Sequence, residues 1–198
     1  ALPGGVIAAD AATETVKYVD KEWNPETNQV DTITTITDEN GESLPLTHEC
    51  TVLTKDMCGS SDGLGESGKE TWYVLDSNIT YKAYQSIRIK DGANVHLILK
   101  DGYTLTATKH DAIQVYDGGM LTIYGQSGGS GKIIVDGQSG HAGIGVDASS
   151  ILNIKGGDIE ADGTDGGAGI GGNRGEDAGI INIYGGKSEK KSFRDTGQ

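Results

Sequence analysis

One short pattern returns three times between Ala112 and Gly186, and it restricts the fold more than any other feature of the chain. A small residue precedes an isoleucine, a Gly/Asp turn follows, and an apolar alternation then ends in glycine. The copies read Ala112-Ile113-Gln114-Val115 with Leu121-Thr122-Ile123-Tyr124-Gly125; Ala142-Gly143-Ile144-Gly145-Val146 with Leu152-Asn153-Ile154-Lys155-Gly156; and Ala168-Gly169-Ile170-Gly171 with Ile181-Asn182-Ile183-Tyr184-Gly185. Lys132-Ile133-Ile134-Val135-Asp136-Gly137 is echoed by Asp158-Ile159-Glu160-Ala161-Asp162-Gly163. Ile113 to Ile144 is 31 residues, Ile144 to Ile170 is 26, and Ile133 to Ile159 is 26. A period of this length, carrying three short alternating pieces, calls for a solenoid in which each repeat buries its apolar face against its neighbours.

The rhythm starts earlier than its glycines suggest. Ile87 can be set above Ile113, Leu97 above Leu121 and Leu105 above Ile133, which makes residues 86–110 a preceding, glycine-poor coil. Strand-like pieces reach back further, to Trp72-Tyr73-Val74-Leu75 and Ile79-Thr80-Tyr81. The predicted fold is all-β: a right-handed parallel β-helix of about 4–5 coils with an N-terminal β-strand cap. Residues 1–12 read as a signal-peptide remnant or linker, 13–70 as the cap, 71–186 as the β-helix and 187–198 as a disordered tail. Two inward columns are expected, Leu97, Leu121, Leu152 and Ile181 beside Leu99, Ile123, Ile154 and Ile183. An outward column of Ile98, Thr122, Asn153 and Asn182 follows from the same alignment. Within the cap, the Gly/Ser-rich run Gly59 to Gly68 reads as a mobile loop, and no segment has a helical period.

Of 32 glycines, 22 lie between Gly118 and Gly186, at the joints of the repeat. They mark corners. Most Asp residues of the coils also sit in Asp-Gly corners (Asp91, Asp101, Asp117, Asp136, Asp162), where their backbone preferences suffice to explain them.

A net charge of −13 argues against nucleic acid or an anionic membrane surface as partner, and no apolar run approaches the roughly 20 residues of a spanning helix. Residues 111–186 hold ten Asp/Glu and three Lys/Arg; corner carboxylates with nearby carbonyls are the pattern a structural Ca²⁺ would use, beside the simpler reading of a solubilising surface. The small, apolar start, with Ala9-Asp10-Ala11, resembles the end of a cleaved signal peptide and points to export. In that setting Cys50 and Cys58 are close enough in sequence for a small-loop disulfide, the alternative being two buried thiols.

Other motifs fall away on physical grounds. Gly167-Ala-Gly169-Ile-Gly171-Gly172 satisfies G-x-G-x-x-G without the strand-then-helix setting that aims amides at a pyrophosphate. His110 and His141 precede corresponding strands one coil apart and read as a surface pair. Hydrolysis or elimination on a β-helix needs carboxylates or cations converging on one strand face, and the outward column is bland. More suggestive is a ladder of Lys100, Tyr124, Lys155 and Tyr184, each immediately after the last apolar residue of its strand in the alignment above. An ammonium of one coil can lie on the ring of the next. Exposed rings at a regular rise can also stack on sugars, with Asn153 and Asn182 as hydrogen-bonding neighbours.

The words Trp72-Tyr73-Val74, Val95-His96-Leu97-Ile98-Leu99-Lys100-Asp101-Gly102-Tyr103-Thr104-Leu105-Thr106, Leu121-Thr122-Ile123-Tyr124-Gly125-Gln126 and Ala168-Gly169-Ile170-Gly171-Gly172 resemble Gly-rich β-helix modules of large secreted or wall-attached proteins of Gram-positive gut bacteria. The resemblance covers about residues 71–186 and supplies no catalytic motif. It implies an extracellular, cell-surface setting and a non-catalytic adhesion or carbohydrate-binding module within a larger exported protein, with glycans or host matrix as partners. A stiff stalk between other domains is the alternative expectation, and a polysaccharide lyase or glycoside hydrolase a second.

Overall fold

A computed structural model describes residues 11–58, 63–82, 86–108 and 112–189. Strands β1 (Thr13–Lys17), β2 (Asp20–Asn24), β3 (Gln29–Ile33), β4 (Thr35–Thr37), β5 (Ser43–Pro45) and β6 (Thr47–Val52) come first, followed by a single helical turn, α1 (Lys55–Cys58). Then the chain winds. Successive turns hold β7 (Glu70–Leu75), β8 (Ile79–Lys82) and β9 (Ile87–Ile89); β10 (Asn94–Leu99), β11 (Thr104–Thr108) and β12 (Ile113–Val115); β13 (Met120–Tyr124), β14 (Lys132–Asp136) and β15 (Ile144–Val146); β16 (Ile151–Ile154), β17 (Asp158–Asp162) and β18 (Ile170–Gly171); and β19 (Ile180–Ile183) with β20 (Lys187–Glu189).

Equivalent strands pair in parallel and build three sheets, in the orders β6-β7-β10-β13-β16-β19, β8-β11-β14-β17-β20 and β9-β12-β15-β18. The protein is a parallel β-helix of about five turns, as the repeat predicts. From Asn94 to Met120 is 26 residues, from Met120 to Ile151 31, and from Ile151 to Ile180 29, so insertions are absorbed at the corners while the strands stay in register. Each coil's backbone N–H and C=O groups are answered by the coils above and below, so a chain with almost no helix leaves its buried backbone paired. The interior is a stack of aliphatic columns, Val95–Leu121–Leu152 and Leu97–Ile123–Ile154 on one sheet, Leu105–Ile133–Ile159 and Ile113–Ile144 on the others.

Three expectations need correcting. Val95, not Leu97, stands below Leu121, and Leu97 stands below Ile123. Val95, Leu97 and Leu99 all point inward, so a shift of two residues keeps the pleat and leaves the apolar pattern equally satisfied; the corner leading into Asn94 decides the register. The outward column is therefore Trp72, His96, Thr122, Asn153 and Asn182, with His96 where Ile98 was expected. Second, the start of the solenoid lies further back. β6 pairs in parallel with β7, and Leu64, only 3% exposed, bridges Ile89 through Leu64 N–H to Arg88 O (2.7 Å) and Lys90 N–H to Leu64 O (2.9 Å). The described part of the Gly59–Gly68 run thus belongs to the first turn of the core. Third, residues 187–189, expected to open a disordered tail, are strand β20, paired with Asp158–Glu160; residues 190–198 of that expected tail and 1–10 of the expected signal-peptide remnant lie outside the described residues.

The N-terminal strands cover a flank as well as an edge. β1 runs antiparallel to β6, β2 with β3 and β4 with β5 form hairpins, and Val19 N–H reaches Gly125 O (3.0 Å) on the third coil. A second apolar cluster results on the outward face of the long sheet: Val16, Cys50, Val74, Ile98 and Tyr124, with Tyr18, Val52 and Trp72 against them.

Candidate functional site

The Lys/Tyr ladder begins one coil later than expected. Tyr124 pairs across from Ile98, and the column runs Val74, Ile98, Tyr124, Lys155, Tyr184. Lys100 lies two residues beyond Ile98, where its Nζ meets Glu14 Oε1 at 2.7 Å. Tyr124 is only 5% exposed, beneath the Tyr18 ring (centroids 5.0 Å apart, edge-on), so no sugar can stack on it. Lys155 Nζ lies 5.7 Å from the ring centroids of both Tyr124 and Tyr184, the self-contained cation–π stack that the alternation suggested. The same ammonium pairs with Asp20 Oδ1 at 2.7 Å. Asn182 Nδ2 donates to Asn153 Oδ1 (2.9 Å) and Asn153 Nδ2 to Thr122 Oγ1 (3.2 Å), a ladder in which neighbouring coils use each other's amides.

Beside it stands an aromatic stack that sequence reasoning missed. The Trp72 indole is sandwiched between His48 (4.0 Å, 11°) and His96 (4.3 Å, 9°), and its Nε1 donates to Glu70 Oε1 (2.7 Å). His96 Nδ1 is 3.1 Å from the Tyr124 hydroxyl. Burial holds the His96 imidazole below its ordinary pKa, against the upward pull of Glu70, and burial pushes the Tyr124 phenol up. The signal was present in the sequence as the outward Val74–Ile98–Tyr124 run, too apolar for a surface that water wets.

Cys50 lies in this outer cluster and Cys58 in the solenoid interior, on opposite sides of the long sheet. Both are free, so the disulfide is not made. Burial pushes their thiols up, to about 11 and about 12 respectively. The corner carboxylates serve the backbone: Asp101 accepts N–H bonds from Gly128 and Ser130 (2.9 Å each), and Asp147 accepts from Asp117 N–H of the coil below (2.8 Å). Among the described residues no group of three or more His, Cys, Asp or Glu is placed to hold a metal ion, which leaves the Ca²⁺ expectation without a ligand set there. His110 lies outside the described residues, so its pairing with His141 does too.

The docked strands create a trench that the sequence did not announce. It runs between the β2–β3 hairpin and the corners after β13 and β16, with a hollow of about 460 Å³ lined by Val19, Lys21, Thr32, Gln126, Ser127 and Lys155, among others. An adjoining hollow of about 290 Å³, lined by Lys17, Tyr18 and Asp101 among others, shares Val19, Thr34, Gln126 and Ser127 with it. The floor is bare backbone. Gly125 and Gly156 stack so closely that a Cβ on Gly156 would sit 2.6 Å from Gly125 N, and only glycine permits that approach. Gln126 Nε2 donates to Lys17 O (2.8 Å) and its Oε1 accepts from Asp101 N–H (3.0 Å), which ties the arm, the trench wall and the second coil together.

A further hollow, of about 530 Å³, opens at the last described coil, lined by Ile159, Ala161, Ile170 and Ile183 with glycines. Among the described residues no helix is long and apolar enough to cross a membrane. Compared with family models, curated proteins and solved structures, the chain finds no match in any of the three.

Proposed function

We propose that this β-helix is a non-catalytic carbohydrate-binding module of a larger exported surface protein, and that its site is the trench between the β2–β3 hairpin and the glycine corners. The observation that carries the reading is the composition of those walls. Thr32, Thr34 and Ser127 offer hydroxyls, Gln126 an amide and Lys21 an ammonium, while Val19 and Tyr18 offer apolar surface in the same furrow. Donors, acceptors and small apolar patches mixed along an open groove suit a sugar, whose ring has hydroxyl edges and C–H faces. The trench carboxylate, Asp101, is engaged by backbone N–H groups, and Lys155 by Asp20, so neither is poised for acid–base work on a glycosidic bond.

The stalk reading rests on a different observation, the continuous cation–π and asparagine ladders that lock coil to coil. An oligosaccharide array separates the two. Ser127 is exposed and lines both hollows, so Ser127→Trp plugs the trench without touching the core. Saccharide retention by the parent chain and its loss in Ser127→Trp supports the binding module; no retention of any saccharide by a folded chain overturns it in favour of the stalk.

A further inference from the structure

Charge in the trench runs against charge in the chain. The protein carries a net −13, yet the two hollows are lined by three lysines, Lys17, Lys21 and Lys155, and one carboxylate, Asp101. Lys155 is neutralised by Asp20, and Asp101 is enclosed by the N–H groups of Gly128 and Ser130 and by the Ser130 hydroxyl. Among the described residues Lys17 and Lys21 have no acidic partner. Three lysines against two carboxylates, Asp20 and Asp101, leave the furrow with a net positive charge on an acidic protein, with Lys17 and Lys21 as its unpaired cations, and that concentrates positive potential where the rest of the surface repels anions.

The placement of Lys21 is specific. Its stem lies along the Gly185 corner, where a Cβ added at Gly185 would come 2.5 Å from Lys21 Cδ and 2.6 Å from Nζ. Those contacts are with the far end of a flexible side chain, and Gly185 has no left-handed backbone angle that would forbid alanine. The bare corner therefore gives the ammonium its position at the trench rim.

We infer that the ligand of this trench is an anionic glycan, a saccharide chain bearing carboxylate or sulfate groups, with Lys21 meeting the charged group and Lys17 a second one further along. The inference rests on the reading of the trench as a saccharide site. A charged hydrogen bond of this kind discriminates by about tenfold or more against a neutral isostere.

The test is titration calorimetry of the whole chain with uronate-containing, sialylated and sulfated oligosaccharides, each beside its neutral parent, and with poly-glutamate as an acidic peptide. Expected are binding of acidic saccharides at least about tenfold tighter than the neutral parents, weakening as salt rises, and a loss of about tenfold in Lys21→Gln. Gly185→Ala, which keeps the ammonium but displaces it, should show a smaller loss with an unchanged circular dichroism spectrum. Equal binding of neutral and acidic saccharides overturns this inference and leaves the carbohydrate module standing. Poly-glutamate binding as tightly as the acidic saccharides overturns it in favour of an acidic protein partner. No binding of any saccharide overturns both readings.

Discussion

Asp20 and Lys155, 135 residues apart in sequence, meet at 2.7 Å with side chains only 18% and 16% exposed. Their contact fastens the N-terminal arm to the fourth coil and sets one end of the trench. Breaking a largely buried pair of this kind by removing one partner costs more than breaking a surface ion pair, because the other charge is left stranded away from water. Asp20→Ala and Lys155→Ala should each destabilise the protein, and a double-mutant cycle read by urea denaturation should return a coupling of about 1–2 kcal/mol. Coupling near zero would mean that the arm is held without this pair.

The Tyr124 ring is the keystone of the outer cluster, touching Tyr18, Trp72 and His96. Tyr124→Ala should cost about 3–4 kcal/mol by opening a cavity there. The same change at Tyr184, which caps the stack on one side only, should cost under about 1 kcal/mol, in the range of a single exposed cation–π contact. Differential scanning calorimetry checks both.

Acid should loosen the arm through the His48–Trp72–His96 stack. His96 is faced by Glu70 and Trp72 of β7, His48 of β6, Tyr124 of β13, Lys155 after β16 and Asp20 of β2. Its folded pKa lies below the unfolded value near 6.5, so the fold favours the neutral ring. Its contribution is complete above pH 6.5 and is lost as pH falls from there towards the folded pKa. Melting temperature should drop between pH 7 and pH 5, and His96→Gln should flatten that slope. Trp72 fluorescence reports the same transition; a His96→Gln profile identical to that of the parent chain would show that His96 does not carry the acid sensitivity.

With Cys50 and Cys58 on opposite sides of one sheet and both thiols pushed up by burial, thiol reagents should react with neither until the chain unfolds. Mass spectrometry after brief alkylation checks this, and reductant should leave the melting temperature unchanged. Chelator should leave it unchanged as well, because the corner carboxylates already hold backbone N–H groups.

The solenoid was legible because stacked coils need identical inward columns, and Ile133–Ile159 or Ile113–Ile144 write that need directly into the sequence. The register of β10 was not, because Val95, Leu97 and Leu99 satisfy the pleat in two alignments. That slip of two residues placed Lys100 in a ladder it does not join. Leu64 was hidden for another reason: a single buried residue in a Gly/Ser run carries no periodicity. The trench lies further still from sequence, since it exists only where the β2–β3 hairpin comes to rest against corners about a hundred residues away. Tyr18 and Asp20 gave no local sign that they would cover a sheet face.

Chemical-shift mapping locates the saccharide site residue by residue. Titrating an isotope-labelled chain with the tightest-binding acidic oligosaccharide should shift amides of residues 17–21, 32–34 and 125–129 and leave the Thr122–Asn153–Asn182 column unmoved. Shifts centred on that column, or spread evenly along the coils with the trench silent, would rule out the trench as the saccharide site.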